Sequence, residues 1–378
     1  MSEPSEPISD PILDALRGVE DPAIRKPIVD LGMVADVGRN KRQARIVVKL
    51  PADDYPATAE LERRVVDAVV GIDGIKKAAV EFAPMTDDEV AGLQAILRPT
   101  SSVPDQGGMR ENVFQTGDVS ARVIAVTSGK GGVGKSTIST NLAVALARLG
   151  HRVGALDADI YGFSIPRMIG IDHPPTVVGE MLIPPEAHGV GTISMGFFAD
   201  EDQPIMWRGP MIHKAMEQFL VDVYWGAVDF VVVDMPPGTG EIAISMSQFL
   251  PDLELVVVTT PQPAAQRVAQ RAGKMAERVN QRILGVVENM SWLEMPDGSR
   301  REIFGAGGGE RLASDLDVPL LGQVPLDEDM RIGSDEGRPI VATNPENPAA
   351  VAIRSIAERI AAEPRKKIRS PELKVKTV

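Results

Sequence analysis

The residues with the clearest chemistry lie between Ala125 and Thr137, in the phrase AVTSGKGGVGKST. Gly129, four residues, and then Gly134-Lys135-Ser136 match the spacing of a phosphate-binding loop, where glycines let backbone N–H groups turn toward one anion. An apolar run over Val123 to Val126 precedes the loop, and the apolar spacing of Ile138 to Leu149 predicts a helix after it. The positive end of that helix would meet the same anion. Lys135 is spaced to reach the β and γ phosphates of a nucleotide, and the Ser136 hydroxyl to ligand Mg²⁺. The expected nucleotide-binding residues are therefore Gly129, Lys130, Gly131, Gly132, Val133, Gly134, Lys135, Ser136 and Thr137.

Phosphoryl transfer to water also needs carboxylates near the metal and the attacking water. The apolar run Val228 to Val233 ends in Asp234, which is expected to contact Mg²⁺ directly or through water. Arg152 to Leu156 runs into Asp157 and Asp159, two residues apart, so the two side chains share a direction if the strand continues that far. Carboxylates at strand ends also cap helices, and both readings stand.

The elements that must position these groups repeat a rhythm. Arg152–Leu156, Val228–Val233, Leu255–Thr259 and Ile283–Val287 are apolar runs that end in polar or glycine-rich residues before helical stretches. This predicts a parallel sheet flanked by helices, with the site at the carboxyl ends of its strands. The expected fold class is α/β: a parallel-sheet P-loop NTPase domain over 119–363, preceded by a small α+β domain over 1–97. In the small domain, Ile12–Val19, Ala57–Val70 and Thr86–Leu97 read as helices and Gln43–Leu50 and Ile75–Phe82 as strands. Residues 98–118 read as a linker, and 364–378, with six Lys or Arg against one Glu, as a basic tail that is either a solvated end or a binding arm.

A chain of 378 residues with 43% hydrophobic and 25% charged residues is long enough for two or three soluble domains. It shows neither a membrane span nor a signal sequence, so a cytoplasmic protein is expected, with no membrane partner. The net charge of -13 argues against broad nucleic-acid binding. The absence of cysteine excludes disulfides, a thiol nucleophile and thiolate-held metal within this chain. The four histidines, His151, His173, His188 and His213, show no ligand spacing.

Lys130, directly after the first glycine, resembles the early lysine of the deviant Walker A ATPases, the group of the MinD, ParA, nitrogenase-reductase and Mrp types. That resemblance implies a homodimer in which Lys130 reaches the phosphates of the partner's nucleotide, with Lys130, Lys135 and Asp159 as the catalytic set. Asp159 would orient the attacking water, and Asp157 would lie nearer Mg²⁺ or the loop. Asn289 and Pro325, in Val324-Pro325-Leu326, stand where the group holds adenine, which implies ATP over GTP. Gly238-Thr239-Gly240 resembles its second switch.

Asp157 to Gly162, Trp207-Arg208-Gly209-Pro210-Met211, Asn289-Met290-Ser291, Ile303-Phe304-Gly305 and Pro325-Leu326-Asp327 together resemble Mrp, the iron-sulfur cluster carrier ATPases. Asp21-Pro22-Ala23 and Asp30-Leu31-Gly32 resemble the small iron-sulfur assembly domain of the SufT type. The implied function is ATP-dependent binding and transfer of iron-sulfur clusters, with assembly factors or apoprotein clients as partners. The chain departs from that pattern twice. Tyr55-Pro56 stands at the family's Cys-Pro, and Trp292 to Glu302 stands where cluster-bearing members have Cys-x-x-Cys. No iron-sulfur ligand is identified, since neither carboxylate nor thioether replaces a thiolate well. Two other functions remain open: a nucleotide-switched adaptor or chaperone without a cluster, and a ParA-like positioning ATPase, which the basic tail alone supports.

Overall fold

The computed structural model describes residues 11–72, 74–98, 112–116, 119–159, 162–198, 209–238, 241–262 and 281–365, with positions 270, 273 and 276 between the last two. The chain divides into two compact units. One comprises Met1–Pro104, Pro174–Pro185 and Asp222–Gly226; the other comprises Asp105–His173, Glu186–Val221 and Ala227–Val378.

The first unit is built on the sheet β1 (Val34–Asn40), β2 (Gln43–Leu50) and β3 (Lys77–Pro84), with β1 antiparallel and β3 parallel to β2. The parallel step needs a crossover. The Thr58–Val70 helix supplies it and buries Leu61, Val65 and Val69, four residues apart, in the same core as Ile46 and Val48 of β2. Thr86 accepts from the Glu89 N–H while Glu89 reaches back to the Thr86 N–H, a capping box that starts the Asp87–Leu97 helix. β1 is largely exposed, which is why its sequence lacks the alternation that would have revealed it.

Two later stretches of chain complete this unit. The hairpin of β6 (Thr176–Val178) and β7 (Met181–Ile183) places Val178, Met181 and Ile183 in the same core. Gln94 Nε2 donates to the Val178 carbonyl at 2.6 Å, and the Leu182 carbonyl accepts from the Tyr224 N–H at 2.9 Å. In the same unit, fully buried Asp21 accepts through Oδ1 from the Ala23 and Ile24 N–H groups and from the Tyr55 hydroxyl at 2.5 Å. Tyr55 is thus committed to an internal hydrogen bond.

The second unit contains β4 (Arg122–Ser128), β5 (Val153–Asp157), β8 (Glu186–Ala187), β9 (Val190–Ser194), β10 (Phe230–Asp234), β11 (Glu254–Thr259), β12 (Arg282–Glu288) and β15 (Leu320–Gln323). Their order is β15-β12-β11-β4-β10-β5-β9-β8, parallel except for β8 at the edge. Every residue of β4, β5, β10 and β11 is buried, as strands covered on both faces must be. Asp234 lies in register with Val126 of β4 and with Asp157 of β5, which aligns three strand ends at one edge. At the opposite end, buried Glu254 accepts from Arg122 and Arg282, and Arg122 also donates to the carbonyls of Ile360, in the last turn of the Pro348–Ala362 helix, and of Glu363 just after it.

Of the expected linker, the described end is anchored: Val113–Thr116 forms one helical turn, and Asn112 Nδ2 donates to the Phe249 carbonyl at 2.8 Å. All of the expected tail beyond Arg365 lies outside the described residues.

Removing the Tyr55 hydroxyl tests the buried pair. Tyr55→Phe is expected to lower unfolding free energy by about 1–2 kcal/mol, read by denaturant melts. Burial raises the Asp21 carboxyl above its ordinary 3.8, more than its hydrogen bonds lower it. Above 3.8 the native state therefore binds more proton than the unfolded chain, and the Asp21 contribution to stability is lost as pH rises from 3.8 through the raised value.

Candidate nucleotide site

β4 delivers the chain into the loop at Ser128, and the Lys135–Arg148 helix takes it out. Gly132 and Gly134 both adopt left-handed φ, +79° and +78°, which lets successive amides face one way. A Cβ on Gly131 or Gly132 would meet no atom within 4 Å, so the loop has an open side. A Cβ on Gly134 would instead lie 2.2 Å from Asn289 Nδ2, because Asn289 crosses the loop and donates to the Val133 carbonyl at 2.9 Å. Ser128 Oγ donates to the Lys130 carbonyl, and Lys130 Nζ donates to Gln262 Oε1 at 3.1 Å.

The charged centre forms where the helix starts. Lys135 Nζ lies 2.6 Å from Asp234 Oδ2, 3.3 Å from Ser136 Oγ and 3.7 Å from Asp159 Oδ2. Asp234 also accepts from Ser136 Oγ and Ser139 Oγ, each at 2.6 Å. Ser139 escaped the sequence analysis; its position one helical turn after Ser136 is the signal that could have found it.

Asp157 and Asp159 diverge. β5 ends at Asp157, so strand alternation does not extend to Asp159. The buried Asp157 carboxylate accepts from the N–H groups of Asp159, Ser164 and Ile165 and from Ser194 Oγ. Burial, and then the neighbouring Asp234 charge, push it up to about 7 against the three backbone donors. Asp159 turns toward Lys135.

Asn289 Oδ1 is buried and has no hydrogen-bond partner. Beside it the Val324 N–H donates to the Glu288 carbonyl, bringing buried Pro325 to the same strand end. Gly238 N–H donates to the Ser128 carbonyl at 2.9 Å; Thr239 and Gly240, like Tyr161, Trp207 and Arg208, lie outside the described residues.

The stretch from Trp292 forms a hairpin of β13 (Leu293–Glu294) and β14 (Arg300–Arg301). Asp297 Oδ1 accepts from the Ser299 N–H in its turn, and the Arg300 guanidinium sits 4.1 Å from the Trp292 ring centroid. Among the described residues no group of three or more His, Cys, Asp or Glu could hold a metal ion. His213 pairs with Ser245 Oγ, and His151 meets the edge of Phe230. No described helix is long and apolar enough to cross a membrane.

Residues 119–361 match the family model described as NUBPL iron-transfer P-loop NTPase. The chain belongs to this family. Residues 9–82 of this NUBPL-type NTPase match a second model, iron-sulfur cluster assembly protein. It is similar to the iron-sulfur cluster carrier proteins of Mycobacterium bovis, 45% identical over 92% of this chain and 91% of the relative, and of Synechocystis, 41% identical over 93% and 97%. Among solved structures it is similar to the nucleotide-binding protein from Archaeoglobus fulgidus in complex with ADP, 36% identical over 58% of this chain and 87% of that one, with TM-score 0.51. The parallel-sheet P-loop fold and the Mrp resemblance read from the residues are both borne out.

Asp157→Ala strips four donors of their acceptor and is expected to destabilise this NTPase by about 1–3 kcal/mol. Thermal melts check the loss, and an unchanged midpoint would deny Asp157 its hold on the Asp159, Ser164 and Ile165 amides.

Proposed function

We propose that this protein is a homodimer of the cytoplasm that binds and hydrolyses ATP with Mg²⁺ and uses the cycle in transferring iron-sulfur clusters to apoproteins. The observation that carries the reading is the convergence of Lys135, Ser136 and Asp234 at a helix N-terminus, under a glycine loop in which a Cβ on Gly131 or Gly132 would meet no described atom within 4 Å. These residues fit the nucleotide. The amides of Gly129 to Thr137 and Lys135 hold the phosphates, and Ser136 and Asp234 hold the metal, directly or through water. Mg²⁺, when bound, neutralises charge that builds on the phosphate oxygens. The orphaned Asn289 Oδ1, with Pro325 beside it, accepts from the exocyclic amine of adenine.

Asp159 orients the attacking water, while Asp157 shapes the loop that carries it. Lys130, held by Gln262 in the single chain, exchanges that neutral partner for the phosphates of the partner's nucleotide. ATP thereby favours the dimer. Residues 1–97 act with the NTPase as an assembly domain, and the acidic balance of -13 argues against a nucleic-acid partner.

An iron-sulfur cluster, as cargo, is not matched by ligands in this chain. Thiolates are its usual ligands, and the chain has no cysteine. The thiols that hold the cargo belong to the assembly factor or the client. The same observation favours, as second reading, a nucleotide-switched adaptor that touches the client and no metal.

Two variants separate binding from hydrolysis. Lys135→Ala is expected to weaken ATP binding by roughly a hundredfold, and Asp159→Ala to bind ATP normally while turnover falls by about a hundredfold or more. Titration with a fluorescent nucleotide and a phosphate-release assay check both; unaltered binding in the first variant would sink the loop assignment. Anaerobic incubation with iron and sulfide should leave no iron on the purified chain. Iron that stays bound, with visible absorption, would reveal ligands other than thiolates.

A further inference from the structure

The turn that carries Asn289 is strained and heavily braced. Met290, a residue with a side chain, adopts φ of +56°, in the left-handed region. On one side the Asn289 N–H donates to the Thr259 carbonyl at 2.8 Å; on the other the Ser291 N–H donates to the Val324 carbonyl at 3.0 Å. The Glu288 carbonyl accepts from both the Val324 N–H and Ser291 Oγ. Strain of this kind persists only where the surroundings over-determine it.

The Glu288 side chain is 1% exposed, and nothing in the phosphate chemistry uses it. Its Oε2 accepts from the Gly309 N–H at 2.5 Å, in the first turn of the Gly308–Asp315 helix, and its Oε1 accepts from Gln323 Nε2 at 2.8 Å on β15. The glycine run that follows Ile303-Phe304-Gly305 permits this approach. A Cβ on Gly308 would lie 2.6 Å from the Pro261 backbone, and one on Gly309 2.6 Å from the Glu288 Cβ. A buried carboxylate is costly unless its partners repay the desolvation, and packing alone would be served by an apolar residue. Glu288 instead joins three pieces at one strand end: the turn at Met290, the edge of β15 and the start of a helix. The chain from Asn289 to Gly309, including the β13–β14 hairpin, leaves and returns at this one side chain.

We infer that Glu288 is a positioning residue for base recognition: by tying Gly309 and Gln323 to the end of β12 it holds the left-handed turn at Met290, which aims Asn289 Oδ1 at the amine of adenine. The inference rests on the proposed role of Asn289. Without the carboxylate the two tethers are lost, the turn relaxes, and the Asn289 amide is no longer fixed over the loop. Phosphate binding at Lys135 continues.

The test compares equilibrium binding of ATP and of inosine triphosphate, which carries a carbonyl in place of the amine. Wild type is expected to prefer ATP by about tenfold. Glu288→Ala should reduce that preference to about twofold or less, by weakening ATP and leaving inosine triphosphate where it was. Glu288→Gln should restore it, since its oxygen accepts from Gly309 and the Gln323 amide can turn over to present an acceptor. Should Glu288→Ala fail to fold, Gln323→Leu cuts one tether and should lower the preference by about threefold. A preference unchanged in Glu288→Ala or Gln323→Leu overturns the positioning role alone. A wild-type chain that does not discriminate, or an Asn289→Ala chain that still does, overturns base reading by Asn289 and the positioning role with it.

Discussion

An ammonium and a carboxylate taken out of water each cost several kcal/mol before their attraction is counted. Lys135 and Asp234 meet this cost together at 2.6 Å, and Ser136 and Ser139 occupy two further acceptor sites of the carboxylate. The pair can form only if the strand before the loop lies beside the strand that ends in Asp234, parallel and in register. β4 and β10 satisfy this, with Val126 opposite Asp234. The loop between β4 and the helix must then be short and rich in left-handed positions, and the helix must start where Lys135 leaves it. Sheet order, register, loop conformation and helix start are therefore tied to one ion pair.

The first compact unit shows that burial is indifferent to separation along the chain. Its core draws on Val178, Met181 and Ile183, which are remote in sequence from Ile46 and Leu61. Apolar area removed from water contributes the same free energy whichever part of the chain supplies it. The family model for this region covers 9–82, whereas the folded unit also takes in Pro174–Pro185 and Asp222–Gly226.

Family membership and ligand chemistry answer different questions. The nucleotide loop retains each group that phosphate chemistry requires, while the chain has no cysteine and the residues expected at the thiol positions sit in internal contacts. Tyr55 donates to Asp21, and Arg300 stacks on Trp292. A phenol that already donates within its own chain, as Tyr55 does, is a poor substitute for a thiolate.

The sequence by itself determined what depends on neighbours along the chain. The loop from Gly129 to Ser136, the apolar strands ending in Asp157 and Asp234, and the capped helix after Thr86 are local in spacing, so they were legible without coordinates. Only the tertiary structure decided which of two neighbouring carboxylates turns to Lys135, since that depends on where β5 stops and on Ser164, Ile165 and Ser194 claiming Asp157. It also decided the partners of Ser139 and Glu288, the placement of the β6–β7 hairpin in the small unit's core and the anchoring of Asn112. These are contacts between residues far apart in the chain, set by how sheets and helices stack rather than by local preference. Spacing in a sequence carries the first kind of information and is silent on the second.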